Sequence, residues 1–227
     1  MSDAGAAFLL SLRLSVWTTL LLVPVGFMLG RLLAFTDLKG RQWLEAILLL
    51  PLLLPPTVLG FYLLLVLSPQ NPVGAMLAQL LGQPLVFSFS GLVLASMLVN
   101  LPFAVFPVQQ AFHAIPDDVR EAAQVCGMSS WRTLWRIDIP LAWRGTVAAV
   151  MLVFAHTMGE FGVVLMVGGN IAGETRTASI AIYDSVQAFD MQSAVWLTLA
   201  LIAVSISSLL IVRLAGAQAR GYLSHLP

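Results

Sequence analysis

Apolar runs of about 20 residues recur along this chain, and they limit its fold more than any other feature. A helix rises about 1.5 Å per residue, so each run can cross a hydrocarbon core roughly 30 Å thick. The runs lie at about Phe8 to Leu33, Trp43 to Leu67, Leu85 to Phe112, Trp143 to Val167 and Ala194 to Leu214. The period-two alternation of a membrane barrel is absent, so the expected fold is all-α and integral to the membrane, with about five spanning helices. Composition agrees: with 59% hydrophobic and 10% charged residues there is too little polar surface to cover a water-soluble domain. The first run follows an N-terminus without Lys or Arg, contains Arg13 and lacks a small-residue cleavage site, so it reads as a retained span and not a signal peptide. The single cysteine, Cys126, excludes an internal disulfide and a multi-Cys metal site. A net charge of zero leaves no basic footprint for nucleic acid.

Five spans place the termini on opposite sides of the membrane. Positive charge collects at Arg31, Lys39 and Arg41 in the first loop, at Arg120, Arg132, Arg136 and Arg144 in the third, and at Arg213 and Arg220 in the tail. By the positive-inside rule these are cytoplasmic, which puts the N-terminus outside and the 215–227 tail inside. The other loops fit, since Ser68 to Pro84 carries no charge and Gly168 to Ser193 has Arg176 against Glu174, Asp184 and Asp190. Within the latter, "TASIAIYDSV" (177–186) is too short and polar to span and reads as an extracytoplasmic or re-entrant helix.

Spans two and three contain Pro51, Pro55, Pro56, Pro102 and Pro107. Each removes a backbone donor, which a membrane tolerates only where neighbours or a wet cavity satisfy the freed carbonyls. Irregular packing is one reading. The other is a pathway whose helices bend, with Thr57, Ser96 and Asn100 as polar groups close to the breaks.

The third loop, 114–140, concentrates charge in "IPDDVREAAQVCGMSSWRTLWRIDIP". Asp117 and Asp118 suit a helix start after Pro116, Gly127 a left-handed stop, and Ser129 or Ser130 a cap for a second helix that Asp138 and Pro140 end. Periodicity puts Val119, Ala122, Ala123 and Cys126 on one face of the first helix and Arg120, Glu121 and Gln124 toward the other. An amphipathic hairpin on the membrane surface fits this pattern, and so does a docking knob for a soluble partner.

Glu121-Ala122-Ala123, three residues, Gly127, nine residues and Ile137-x-Ile139-Pro140 resembles the EAA motif of ABC importer permeases, E-A-A-x3-G-x9-I-x-L-P, with Ile139 in the Leu position. The resemblance implies that Glu121, Ala122, Ala123, Gly127, Ile137, Ile139 and Pro140 form a coupling loop that docks on a cytoplasmic ATPase dimer. Over nearly the whole chain, through "LPLLLPPTVLGFYLLL", "GEFGVV" and "GNIAGETRTASIAIY", the sequence is similar to the molybdate permease subunits of ABC importers, a branch close to the sulfate permeases. That implies a permease domain over 8–214 in a bacterial inner membrane, translocating molybdate and also tungstate. Its implied partners are a second permease chain, with a homodimer as the simplest arrangement, and an extracytoplasmic oxyanion-binding protein. ATP and Mg would belong to the ATPase, and this chain would bind no cofactor and would not be an enzyme. The "GEFG" and "GET-x-T" elements also look like sulfate and thiosulfate permeases, which leaves that alternative open.

No G-x-x-x-x-G-K-[ST] occurs, and the only lysine, Lys39, sits in "LKGRQ", so the energy source is another polypeptide. An ion-coupled secondary carrier would normally show intramembrane acids and an internal repeat, and neither is visible. Glu160 lies roughly 24 Å along the helix from Arg144, toward the outer face. It is expected to pair with a helix N-terminus or a basic partner near the outer gate and not to contact the dianion, since like charges repel strongly in a low-dielectric site. His156 reads as a core or interface histidine. Arg176 could meet the anion, Glu174 or the binding protein, and Arg13 is expected to snorkel. Thr57, Ser96, Asn100, Glu160 and Arg176 are thus the candidates for a pathway or gate.

Overall fold

The computed structural model describes residues 3–36 and 39–223, and every regular element among them is helical. In chain order they are α1 (Asp3–Phe35), α2 (Arg41–Leu53), α3 (Pro56–Leu67), α4 (Pro72–Leu81), α5 (Phe89–His113), α6 (Asp117–Val125), α7 (Ser130–Thr133), α8 (Ile139–Gly159), α9 (Gly162–Gly168), α10 (Ala178–Gln187) and α11 (Met191–Leu223). Four of the described helices are long and apolar enough to cross a membrane, and α2 with α3 makes a fifth if that bent pair is one span.

The core is α1, α5 and α8. Helices α1 and α5 run parallel, because Leu14 clusters with Leu92 and Val93 near one end while Leu33 clusters with Val105 near the other. Their backbones nearly touch at Gly26, where a Cβ would fall 2.6 Å from that of Ala104. Such small-residue contact replaces the hydrophobic drive that lipid cannot supply. Helix α8 lies antiparallel to α5, with Gly145 against Pro107 and Ala111 at one end and Thr157 bonded to Asn100 further along.

The prolines decide the second span. The expected helix over Trp43 to Leu67 is two helices, bent by 110° between Leu53 and Pro56. Pro55 and Pro56 cannot donate to the preceding turn, and Leu54 takes an extended conformation with ψ 141°. The fourth span is interrupted as well: α8 ends at Gly159, Glu160 is extended with ψ 131°, and α9 restarts at Gly162. Conversely, Asp138 and Pro140 do not end the second loop helix as expected. Leu134–Asp138 forms a π turn, in which Ile139 N–H donates to the Leu134 carbonyl, and the helix continues into α8. Widening the turn makes room for the Pro140 ring and for the carbonyl left without its donor.

Helix α4 falls in the uncharged stretch read as loop. It begins where Asn71 accepts from Val73 N–H at 3.0 Å with Pro72 in the first turn, and it stops at Gly82 with φ 68°. Segment 177–186 is helical, as α10 (Ala178–Gln187), too short to span and packed beside the N-terminal end of α1. The expected 215–227 tail begins as a continuation of α11 to Leu223, and 224–227 lie outside the described residues.

Candidate functional site

The loop and the helix breaks form two separate sites, and the loop is the better defined. Helix α6 ends as its sequence dictates: Gly127 adopts φ 70° and Met128 N–H reaches back to the Ala123 carbonyl at 3.0 Å. That 6→1 bond is the Schellman closure, and it requires a residue at ease in the left-handed region. Ser129, not Ser130, then caps α7 by accepting from Arg132 N–H at 3.4 Å.

Glu121, Ala122, Val125, Cys126 and Gly127 are exposed together, and Val125 is 88% accessible. Ala123 is buried, Ile137 and Ile139 are half-buried and Pro140 is exposed. The expected split of α6 into two faces does not hold: Val119, Ala122 and Cys126 are exposed beside Glu121, only Ala123 of the apolar set is buried, and Arg120 turns inward. Its guanidinium lies 3.5 Å from the centroid of Phe35, and its Nε is 3.5 Å from Asp138 Oδ1. A fully buried carboxylate requires cationic partners, and this demand overrides the helix periodicity. Arg31, from the last part of α1, completes the cluster by donating to Asp138 Oδ2 from Nε at 3.2 Å and from its terminal NH2 group at 3.0 Å. These charges are far apart in the sequence, and the one local signal of their pairing is an Asp inside an apolar junction, flanked by loops rich in arginine.

The second site is where the two helix breaks meet. A Cβ on Gly162 would lie 2.7 Å from that of Pro56, so the starts of α3 and α9 are in contact. Beside them is a cavity of about 130 Å³ lined by Leu54, Pro56, His156 and Glu160 among others. Glu160 Oε1 accepts from Val163 N–H at 3.1 Å and so caps α9. This satisfies an orphan donor and sets a negative charge against the positive end of the helix. Glu160 Oε2 is 3.9 Å from His156 Nε2, and His156 Nδ1 is 3.1 Å from Asn100 Oδ1. Asn100 is fully buried and donates to the Ser96 carbonyl at 2.8 Å and to the Thr157 hydroxyl at 3.2 Å.

Of the five pathway candidates, Asn100 and Glu160 are therefore joined through His156. Thr57 is exposed in the first turn of α3, beside the break, while the Ser96 hydroxyl is buried without a hydrogen-bond partner. Arg176 lies elsewhere. It pairs with Asp3 at 2.6 Å and Asp184 at 3.6 Å and donates to Asn170 Oδ1 at 2.7 Å, and Glu174, one of the three partners open to it from the sequence, is not among these contacts. Arg13 rests over the Phe89 ring at 4.6 Å, a cation–π contact in place of free snorkelling. The "GETRTAS" stretch acts as a clasp. Thr175 is fully buried and donates to the Gly168 carbonyl at 2.7 Å, and Ser179 donates to the Glu160 carbonyl at 2.5 Å. No group of three or more His, Cys, Asp or Glu suited to a metal ion exists among the described residues.

A bundle of apolar helices long enough to span, two segments broken at facing points and an exposed helical knob on a charge-anchored loop together fit a membrane permease. Residues 23–220 match the family of binding-protein-dependent transport system inner membrane components, and the chain belongs to that family. The molybdenum transport permease ModB of Azotobacter vinelandii is 47% identical over 193 residues, covering 85% of each chain. The corresponding ModB of Escherichia coli is 34% identical over 206 residues, covering 90% of each chain. The fold matches a bacterial alginate ABC transporter crystallised with an alginate-bound periplasmic protein, with TM-score 0.71, 20% identity, and coverage of 98% of this chain and 80% of that one.

Proposed function

We propose that this chain is the membrane-spanning permease subunit of an ATP-driven importer of molybdate, with tungstate as a second cargo. The observation that carries the assignment is the 47% identity to a molybdenum permease across 85% of both chains. The exposed Glu121, Ala122 and Gly127 surface supports the rest of the reading: it is the face on which a cytoplasmic ATPase dimer would seat, with ATP and Mg held by that partner. Two permease chains then meet two ATPases, one loop each, and a symmetric homodimer satisfies this count. The N-terminus is outside and the loop end cytoplasmic, in keeping with the arginines at that end.

The mechanism follows from where charge is and is not placed. An extracytoplasmic binding protein supplies affinity and selectivity. The permease then needs only a route, because fixed cations along it would hold a dianion too tightly to release. At the facing breaks the polar side chains lining the cavity are the Glu160 carboxylate and the His156 imidazole, with no Lys or Arg among them. Closing the ATPase dimer would move the loop, and the bends at Leu54 and Glu160 are the points where the core can yield. The test is to co-purify the complex with its binding protein and titrate that protein with molybdate, tungstate, sulfate and phosphate. Preference for molybdate and tungstate is expected, and preference for sulfate would replace the cargo.

A further inference from the structure

The Asp138 cluster ties α6 to two helices of the core, α1 and α8. Asp138 closes the π turn at the foot of α8, Arg31 belongs to α1 and Arg120 to α6, and both guanidiniums approach the Phe35 ring, Arg31 at 5.8 Å and Arg120 at 3.5 Å from its centroid. The two halves of the cluster differ. Oδ2 is fully bonded to Arg31, whereas Oδ1 and Arg120 Nε face each other at 3.5 Å without the geometry of a hydrogen bond, and neither has any other partner. Both atoms are buried, and a buried pair left half-made is expensive. A small displacement of α6 would close that bond fully or open it to water. The neighbouring π turn is a local departure from regular helix of the kind that often marks functional sites.

We infer that Asp138 is a positioning residue for energy coupling: it is the joint through which displacement of α6 is delivered to α1 and α8. Arg31 fixes the carboxylate to the membrane core, and Arg120 is the moving contact. This rests on the ATP-driven permease reading above, and it assigns a role to Asp138, an unspecified position of the E-A-A-x3-G-x9-I-x-L-P pattern, and to Arg31 and Arg120 outside it.

The test uses the full complex of permease, ATPase and binding protein in proteoliposomes, and reads ATP hydrolysed per anion carried. Asp138→Asn is expected to lower transport about tenfold while ATP hydrolysis and complex assembly stay near wild type, raising that ratio about tenfold, the size of an ordinary coupling free energy. Asp138→Glu, which keeps the charge, is expected to recover most of the coupling. Arg120→Gln leaves the Arg31 to Asp138 bonds in place and decides the matter if Asp138→Asn does not assemble; it should raise the ratio in the same direction by about threefold, a smaller coupling loss. An unchanged ratio in Arg120→Gln, or transport and hydrolysis falling in parallel in an assembled Asp138→Asn complex, would overturn the inference. The ratio is measured with whichever anion the wild-type complex carries, so a wrong cargo leaves this test intact; a wild type that needs no ATP sinks the functional reading itself.

Discussion

Two buried carboxylates, one at each site, are held in opposite ways. Asp138 is fully inaccessible and faces two guanidiniums from other helices, whereas Glu160, 7% accessible, has a backbone N–H, and a histidine nitrogen at 3.9 Å. The first arrangement ties elements together, since removing either sign leaves an uncompensated charge in a dry place. The second satisfies a charge with dipoles local to the break, and a change of conformation can trade those for others at modest loss. On the proposed reading, the strong fixed charge of Asp138 lies at the end where force enters, and the locally satisfied Glu160 lies at the helix break that bends.

The contrast can be broken most directly by deleting each carboxylate. Asp138→Ala should destabilise the protein by about 3–5 kcal/mol, the usual penalty for stranding the partner of a buried pair. Glu160→Ala should lower stability by only about 1–2 kcal/mol, as the loss of a helix cap. Thermal melts in detergent measure both, and equal losses would remove the distinction. Gly127→Ala should follow at about 1–2 kcal/mol from the left-handed backbone alone, because no atom stands within 4 Å of its Cβ position. Gly127→Asn, better suited to that conformation, should cost less. Glu121→Lys sharpens the comparison from the other side. It lies on the exposed face, so its effect on the melt should stay within about 0.5 kcal/mol. It should nevertheless abolish capture of the ATPase in a pull-down.

The smallest effect concerns Asp190, an exposed carboxylate that neither site uses. The Ser193 hydroxyl and backbone N–H bond to it and hold its pKa below the ordinary 3.8. A folded-state pKa below the unfolded one contributes stability above the unfolded value, and that contribution is lost as pH falls through the folded value. Amide exchange in the first turn of α11 should therefore quicken only below about pH 4, and Asp190→Asn should remove that dependence.

Local signals carried much of this architecture. The Gly127 stop, the acidic start of α6 and three of the five apolar runs are present where they were expected, while the runs over Trp43 to Leu67 and Trp143 to Val167 are each broken in two. The EAA spacing likewise mapped onto a loop with an exposed helical face. What escaped was long-range or a matter of degree. Prolines at 55 and 56 signalled a disturbance without saying whether it was a kink or a 110° bend, and Glu160 gave no sign that it interrupts its helix. The inward turn of Arg120 depends on Phe35 and Asp138, which are distant in sequence, and no periodicity argument on α6 alone could supply them. Helix α4 was overlooked for a simpler reason, since its Asn71-Pro72 start and Gly82 stop were legible but its span of 10 residues is too short for a hydropathy search.

The central claim is that ATP spent on another polypeptide drives an anion through this chain by way of the α6 loop. The direct measurement is molybdate uptake into proteoliposomes holding the permease, its ATPase and its binding protein, comparing wild type with Glu121→Lys. Uptake should require ATP and all three proteins, and should vanish in Glu121→Lys with the permease still folded in the membrane. Uptake that proceeds on an ion gradient with ATP absent, or that survives in Glu121→Lys, would contradict it.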